Sequence, residues 1–133
     1  MHSEKTSLTT LCLSMKPKHI TSKDRLQHAL QAIRHIEDMS NGVGLERFKE
    51  DIVIQSACFY QFAVVAEAMS HVDSNILSFY DYPWHRVKSF RNFILHEYHA
   101  IELEITFDTI KKVLPGLKNV LLEILATEFP EKL

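Results

Sequence analysis

The stretch from Leu45 to Met69 is the hardest part of this chain to place in anything but a helical bundle. Phe48, Ile52, Gln55, Phe59, Phe62, Val65, Ala66 and Met69 recur at helical steps and make one face. Val53, Ala57, Tyr60 and Val64 make a second. Such steps put side chains on the same side of an α-helix. A helix that is apolar on two sides has to be covered on two sides, by neighbouring helices or by a second subunit. Ala57, Ala63, Ala66 and Ala68 leave room for close helix approach.

The remaining segments supply the neighbours. Leu26, Leu30, Ile33 and Ile36 predict a helix over 23–39, capped by Ser22 or Asp24. Ser40-Asn41-Gly42-Val43-Gly44 holds two of the chain's three glycines and stops it. Asp73-Ser74-Asn75 opens a short helix over 74–80, which ends before Pro83 because the residue ahead of a proline avoids the α region. Pro83 suits the first position of the next helix, 84–98, where its missing N–H would have no partner. A helix over 102–114 should turn Ile105, Ile110, Val113 and Leu114 inward. Pro115-Gly116 is expected to break it before a last helix over 116–128. No stretch alternates with period two, so the class is all-α: an antiparallel bundle of four main helices with short extras. The helical domain is 23–133. Residues 1–22 are an N-terminal extension, expected to be poorly ordered, and Met15-Lys16-Pro17-Lys18 reads like an ordinary start.

Composition narrows the function. Fifteen Lys and Arg against seventeen Asp and Glu in 133 residues leave no global charge that would draw nucleic acid, so only a local patch could. Cys12 and Cys58 lack metal-binding spacing; Cys58 reads as a buried apolar residue, and a reducing cytoplasm fits both. No window approaches eighteen consecutive apolar residues, so no membrane helix is expected, and Ser7 to Met15 is too short and hydroxyl-rich for a signal core. A Gly-rich phosphate loop, a paired-carboxylate cleft and a familiar Cys–His dyad are all missing from the sequence.

The chemistry concentrates in Pro83 to Tyr98. Arg86, Lys88 and Arg91 carry positive charge with no acid among them, which suits RNA phosphates or a plain solvated face. Beyond them runs Arg91-Asn92-x-x-x-His96-x-Tyr98. Arg can grip a phosphate bidentately. His titrates near neutrality and can move a proton to or from a ribose 2′-hydroxyl or a leaving oxygen. Tyr offers a hydroxyl that can orient or be modified. That set matches metal-independent RNA cleavage, although an Arg two turns from a Tyr is also an ordinary structural pair. Arg91 and His96 are five apart, about 140° around a helix at ~100° per residue, so one straight helix aims them apart. A second copy across a two-fold axis would supply the proximity. Glu67, in an apolar run, reads from spacing as an exposed helix position, or as an acid that orients Arg91 or His96. His96 and His99, with Glu102, are too weak a pattern for a metal site, and no metal or other cofactor is expected.

Arg91-Asn92-Phe93-Ile94-Leu95-His96-Glu97-Tyr98 resembles the R-N-x-x-x-H-x-Y signature of the HepT-like branch of the HEPN superfamily. Gln55-Ser56-Ala57 with Ala66-Glu67-Ala68 looks like that family's Q-x-A and G-E-A helix, and Pro83-Trp84 with Val87, Arg91 and Asn92 like its P-W run. Ala66 stands where the family often has Gly, and Ser89-Phe90 where it more often has Gly-Met. The resemblance covers about Asp24 to Leu125. It implies a homodimeric helical ribonuclease toxin with Arg91 and His96 as the catalytic pair. Asn92 and Glu67 would be supporting residues, and Arg86 and Lys88 RNA contacts. It further implies an MntA-like minimal nucleotidyltransferase as antitoxin, which transfers AMP onto Tyr98, and an RNA substrate such as tRNA or mRNA. The alternative within the same family is a non-catalytic nucleotide- or substrate-binding subunit of such a transferase, with Arg91 as a phosphate clamp.

Overall fold

The computed structural model describes residues 7–11, 13, 19–96 and 102–131, with residues 91–96 described by their backbone alone. The described residues form helices and connecting turns, without a strand. Helix α1 is Ser22–Ser40, α2 is Leu45–Glu50, α3 is Ile52–Ser70 and α4 is Ser74–Leu77. Helix α5 is Trp84–His96, α6 is Leu103–Asp108 and α7 is Leu114–Glu128. A π-helical turn, Thr109–Val113, joins α6 to α7. Residues 7–11 are helical as well, with exposed side chains.

Helix α1 starts one residue ahead of the expected caps. Thr21 is the cap: its Oγ1 accepts from the Asp24 amide at 3.1 Å, and the Asp24 carboxylate accepts from the Thr21 amide at 3.0 Å. This reciprocal box satisfies two amides that a helix start leaves without partners. These bonds hold the Asp24 carboxyl below its usual range. Ser22, the other expected cap, instead accepts a bond from the Asp73 amide at 3.0 Å and ties the start of α1 to the loop before α4. Leu26, Ala29, Leu30, Ile33 and Ile36 form the buried stripe. The helix ends at a turn in which Gly42 takes φ +72, a value that glycine adopts without steric cost.

The long helix expected over 45–69 is two helices. Asp51 interrupts it, accepting from the amides of Val53 and Ile54 at 3.0 and 3.1 Å and so capping α3. Gln55 closes the other side of the break. Its Nε2 donates to the carbonyls of Phe48 and Lys49 at 2.8 and 3.0 Å, where α2 runs out of intrahelical partners. Gln55 is therefore buried for a structural reason.

Helix α3 is the centre of the bundle. It packs most extensively on α1 and next on α5. By length and composition alone this helix is apolar enough to cross a membrane, which the sequence reading did not anticipate. Here Cys58, Phe59, Phe62, Val65 and Met69 of that helix lie in the protein core. Burial pushes the Cys58 thiol up to about 11.

Pro115 does not break the last helices apart. A proline inside an α-helix lacks one N–H and crowds the carbonyl four residues back. The chain widens just ahead of it instead, and the Leu114 amide donates to the Thr109 carbonyl, five residues back. Pro115 then sits in the first turn of α7. The extra residue resets the inward face to Thr106, Ile110, Leu114, Leu117, Leu121 and Ile124, while Ile105 and Val113, expected inside, are 60% and 49% exposed. Lys118 of α7 reaches Glu37 of α1 at 2.9 Å, and Lys49 of α2 reaches Glu104 of α6 at 2.6 Å.

Candidate active site

Helix α5 carries the motif, and the side chains of its first half tie it to the rest of the fold. Trp84 Nε1 donates to the carbonyls of Leu77 and Tyr80 at 3.0 and 3.2 Å, locking the turn after α4 onto the start of α5. The Tyr82 and Trp84 rings lie 5.0 Å apart, centre to centre. One and a half turns on, Phe90 meets Phe62 of α3 at 4.8 Å between tilted rings. Centroid spacings in this range belong to attractive aromatic pairs.

Arg91, Asn92 and His96 fall on the unbroken continuation of this helix, where the structure describes the backbone. The five-residue offset between Arg91 and His96 is thus a helical one, and the divergence of about 140° stands. Tyr98 and His99 lie outside the described residues. Glu67 is on α3, half buried, with Oε1 3.0 Å from His71 Nε2 one turn on.

The two expected RNA-contacting residues part company. Arg86 and Lys88 are two apart on a helix, about 200° around its axis. Lys88, Asn92 and His96 follow one another at four-residue steps, so Lys88 shares the stripe of the motif. Arg86 is exposed and lines a cavity on another side of α5. That cavity, of about 310 Å³, opens between α3, α5 and the π-turn. Tyr82 and Thr109 also line it, and the sequence reading gave neither a functional role. Tyr82 could have been suspected from the Tyr-Pro-Trp run; Thr109 carries no signal of its own. Burial raises the Tyr82 hydroxyl above its usual range.

On α3 a second surface stands out. Val53 is 73% exposed and Tyr60, two turns on, is 66% exposed. Ile52 at the helix start is 62% exposed. These are apolar side chains on the helix that otherwise forms the core.

The family model for HepT-like ribonucleases matches residues 29–124. The chain belongs to this family. Three relatives bear on the assignment. A candidate RNase of Caldanaerobacter subterraneus subsp. tengcongensis is 27% identical over 81% of this chain and 97% of its own length. The probable ribonuclease HepT of Thermococcus cleftensis is 26% identical over 79% of this chain and 94% of its own. A gamma-glutamylcyclotransferase and candidate RNase of Methanocaldococcus jannaschii is 25% identical over 75% of this chain, which spans 46% of that longer protein. No solved structure matches the chain significantly. The matched span takes in α3, α5 and the whole Arg91–Tyr98 motif. The match therefore includes the helices that carry the candidate site.

Proposed function

We propose that this chain is a metal-independent endoribonuclease that works as a homodimer, with Arg91 and His96 as its catalytic pair. The single observation that carries this reading is the placement of both residues on one helix in a chain of the HepT-like ribonuclease family. In the reaction a base, His96, takes the 2′-hydroxyl proton. The 2′-oxygen attacks the adjacent phosphorus, and the bond to the 5′-oxygen breaks. An acid returns a proton to that oxygen, leaving a 2′,3′-cyclic phosphate and a 5′-hydroxyl. The Arg91 guanidinium neutralises the charge that builds on the phosphorane. Two copies of His96, one per subunit, supply base and acid without asking one side chain to serve both oxygens. Asn92 and Lys88 share the His96 stripe and suit the flanking RNA backbone.

The dimer is supported by two features. Arg91 and His96 diverge on one helix, so a partner helix has to bring the complementary group. The Val53–Tyr60 stripe of α3 is apolar and exposed, and a second copy would cover it. Sedimentation of Tyr60→Arg and Val53→Asp should show monomers in which RNA cleavage is lost.

Regulation follows the same family reading. An MntA-like nucleotidyltransferase transfers AMP from ATP to the Tyr98 hydroxyl and releases pyrophosphate. The added phosphate and nucleoside then occupy and repel where an RNA phosphate must sit. The toxin and its partner would act in the cytoplasm. Mass spectrometry after incubation with the partner and ATP should place a single adenylyl group on Tyr98.

The decisive test is His96→Ala beside wild type, assayed for cleavage of total RNA and for growth arrest on induction. Loss of a general acid–base residue should lower cleavage by about 10²- to 10⁴-fold and abolish arrest. Undiminished cleavage by a folded His96→Ala protein would remove the catalytic pair and leave a binding subunit.

A further inference from the structure

Arg86 lies off the Lys88–Asn92–His96 stripe, and the cavity it lines has the chemistry of a small-ligand site. We propose that this cavity is a nucleobase pocket: it takes one unpaired base of the RNA strand while Arg86 holds the neighbouring phosphate. The proposal rests on the ribonuclease reading for its ligand, but the pocket itself is argued from its walls.

Its volume of about 310 Å³ is at the small end of ordinary ligand pockets, room for one base and part of its sugar. Phe62 and Phe90 line it with aromatic rings, and Val65, Val87 and Leu117 make up further apolar wall. Flat apolar walls with aromatic rings are what single-stranded RNA readers use to receive an unstacked base. Two hydroxyls give the pocket polarity. The Thr109 proton is committed to the Ile105 carbonyl at 2.8 Å, so its oxygen faces a ligand as an acceptor. The Tyr82 hydroxyl keeps its proton and can donate, and among the described residues it has no hydrogen-bond partner. One donor and one acceptor are the minimum with which a base edge can be told from a plain hydrocarbon. Among the described residues that line the pocket Arg86 is the charged one, which suits an anion beside the base. No described acid forms an ion pair with it.

Position ties the pocket to the motif. Phe90 immediately precedes Arg91 in α5. Arg86 and Arg91 are five residues apart, about 7.5 Å along the helix axis. They also lie about 140° apart around that axis, so a strand that meets both has to cross from one side of α5 to the other. On this reading Arg86 and its pocket set which nucleotide lies beside the cut, while Arg91 and His96 do the cutting.

The test does not depend on cleavage. Methyl-labelled full-length His96→Ala protein is titrated with each of the four nucleoside 5′-monophosphates, with ribose 5-phosphate and with decanoate, following the methyl signals of Val65, Val87 and Leu117. At least one nucleotide should produce saturable shifts there, and ribose 5-phosphate should bind at least tenfold more weakly. Arg86→Gln, at an exposed position, should weaken the nucleotide tenfold or more. Val113→Trp, at the half-exposed rim, should fill the pocket and abolish the shifts. The proposal is overturned by no saturable shift with any nucleotide, by equal binding of ribose 5-phosphate, by decanoate alone occupying the pocket, or by full nucleotide affinity in Arg86→Gln. Nucleotide binding by a chain that cleaves no RNA would uphold the pocket while removing the ribonuclease reading. Cleavage without nucleotide binding would do the reverse.

Discussion

Helices α1 and α5 carry comparable numbers of apolar residues, seven and six, but α5 has three charged residues to the six of α1, and the two serve opposite ends. Helix α1 buries seven residues, Leu26, Ala29, Ile33 and Ile36 completely. Helix α5 has none in that class among its described side chains; Trp84, Val87 and Phe90 are half covered. The first is held by packing along its length; the second is clamped at its head by Trp84 and packs on α3. The difference teaches where a helical bundle can keep a cluster of polar groups: on the element whose lesser burial the rest of the fold can carry.

That contrast can be broken from either side. The largest effect on stability should come from Ile33→Ala, fully buried in α1, at a cost of about 2–5 kcal/mol by denaturant unfolding. Val87→Ala in α5, which also removes one carbon fewer, should cost about half that or less from its partial burial; a cost as large as that of Ile33→Ala would mean that α5 contributes to the core as α1 does. Next is Gln55→Leu, which keeps the volume but strips the carbonyls of Phe48 and Lys49 of their donor. About 1–3 kcal/mol should be lost, and a loss near zero would mean that water replaces the amide. Trp84→Phe keeps a ring and removes two bonds at the head of α5. About 1 kcal/mol of stability should go, with a larger fractional loss of RNA cleavage, because the clamp positions the motif more than it supports the core.

The smallest effect is electrostatic and has a definite sign. Glu104 and Asp24 are held below their unfolded values of 4.5 and 3.8, Glu104 chiefly by its bond from Lys49 and Asp24 chiefly by the Thr21 amide. A depressed carboxyl contributes stability above its unfolded value and loses it as pH falls through the folded one. Lys49 is raised above 10.5 by the same Glu104 bond, so its share is present at neutral pH and lost only as pH rises past that range. Melting temperatures should be level between about pH 6 and 9 and drop below pH 4. Glu104→Gln should shrink that acid-side drop slightly, since both partners are exposed.

Much of the frame was legible in the sequence. The turn at Ser40–Gly44, the start of α5 behind Pro83 and the all-α class each follow from one residue property. The break at Asp51 was not legible, because Phe48 and Gln55 are two turns apart and keep the same face across the gap. What ended the helix was a side chain capping its own backbone, which leaves the apolar period untouched. The π-turn hid for the opposite reason: it shifts the period, so Ile105 and Val113 looked inward while Thr106 took the buried place. At the candidate site, residue types and spacing identified the motif. They grouped Arg86 with Lys88 as RNA contacts, and the helix sets the two about 200° apart around α5.

The π-turn also says something about the history open to this chain. One residue sits in the junction of α6 and α7 without forming a loop. A helix can gain or lose a residue at such a point by changing one turn of its ladder, while everything downstream keeps its direction and everything upstream rotates by about 100°. Insertions of a single codon are therefore tolerable here in a way they would not be in α1 or α3, and what they change is the wall of the pocket in which Thr109 stands.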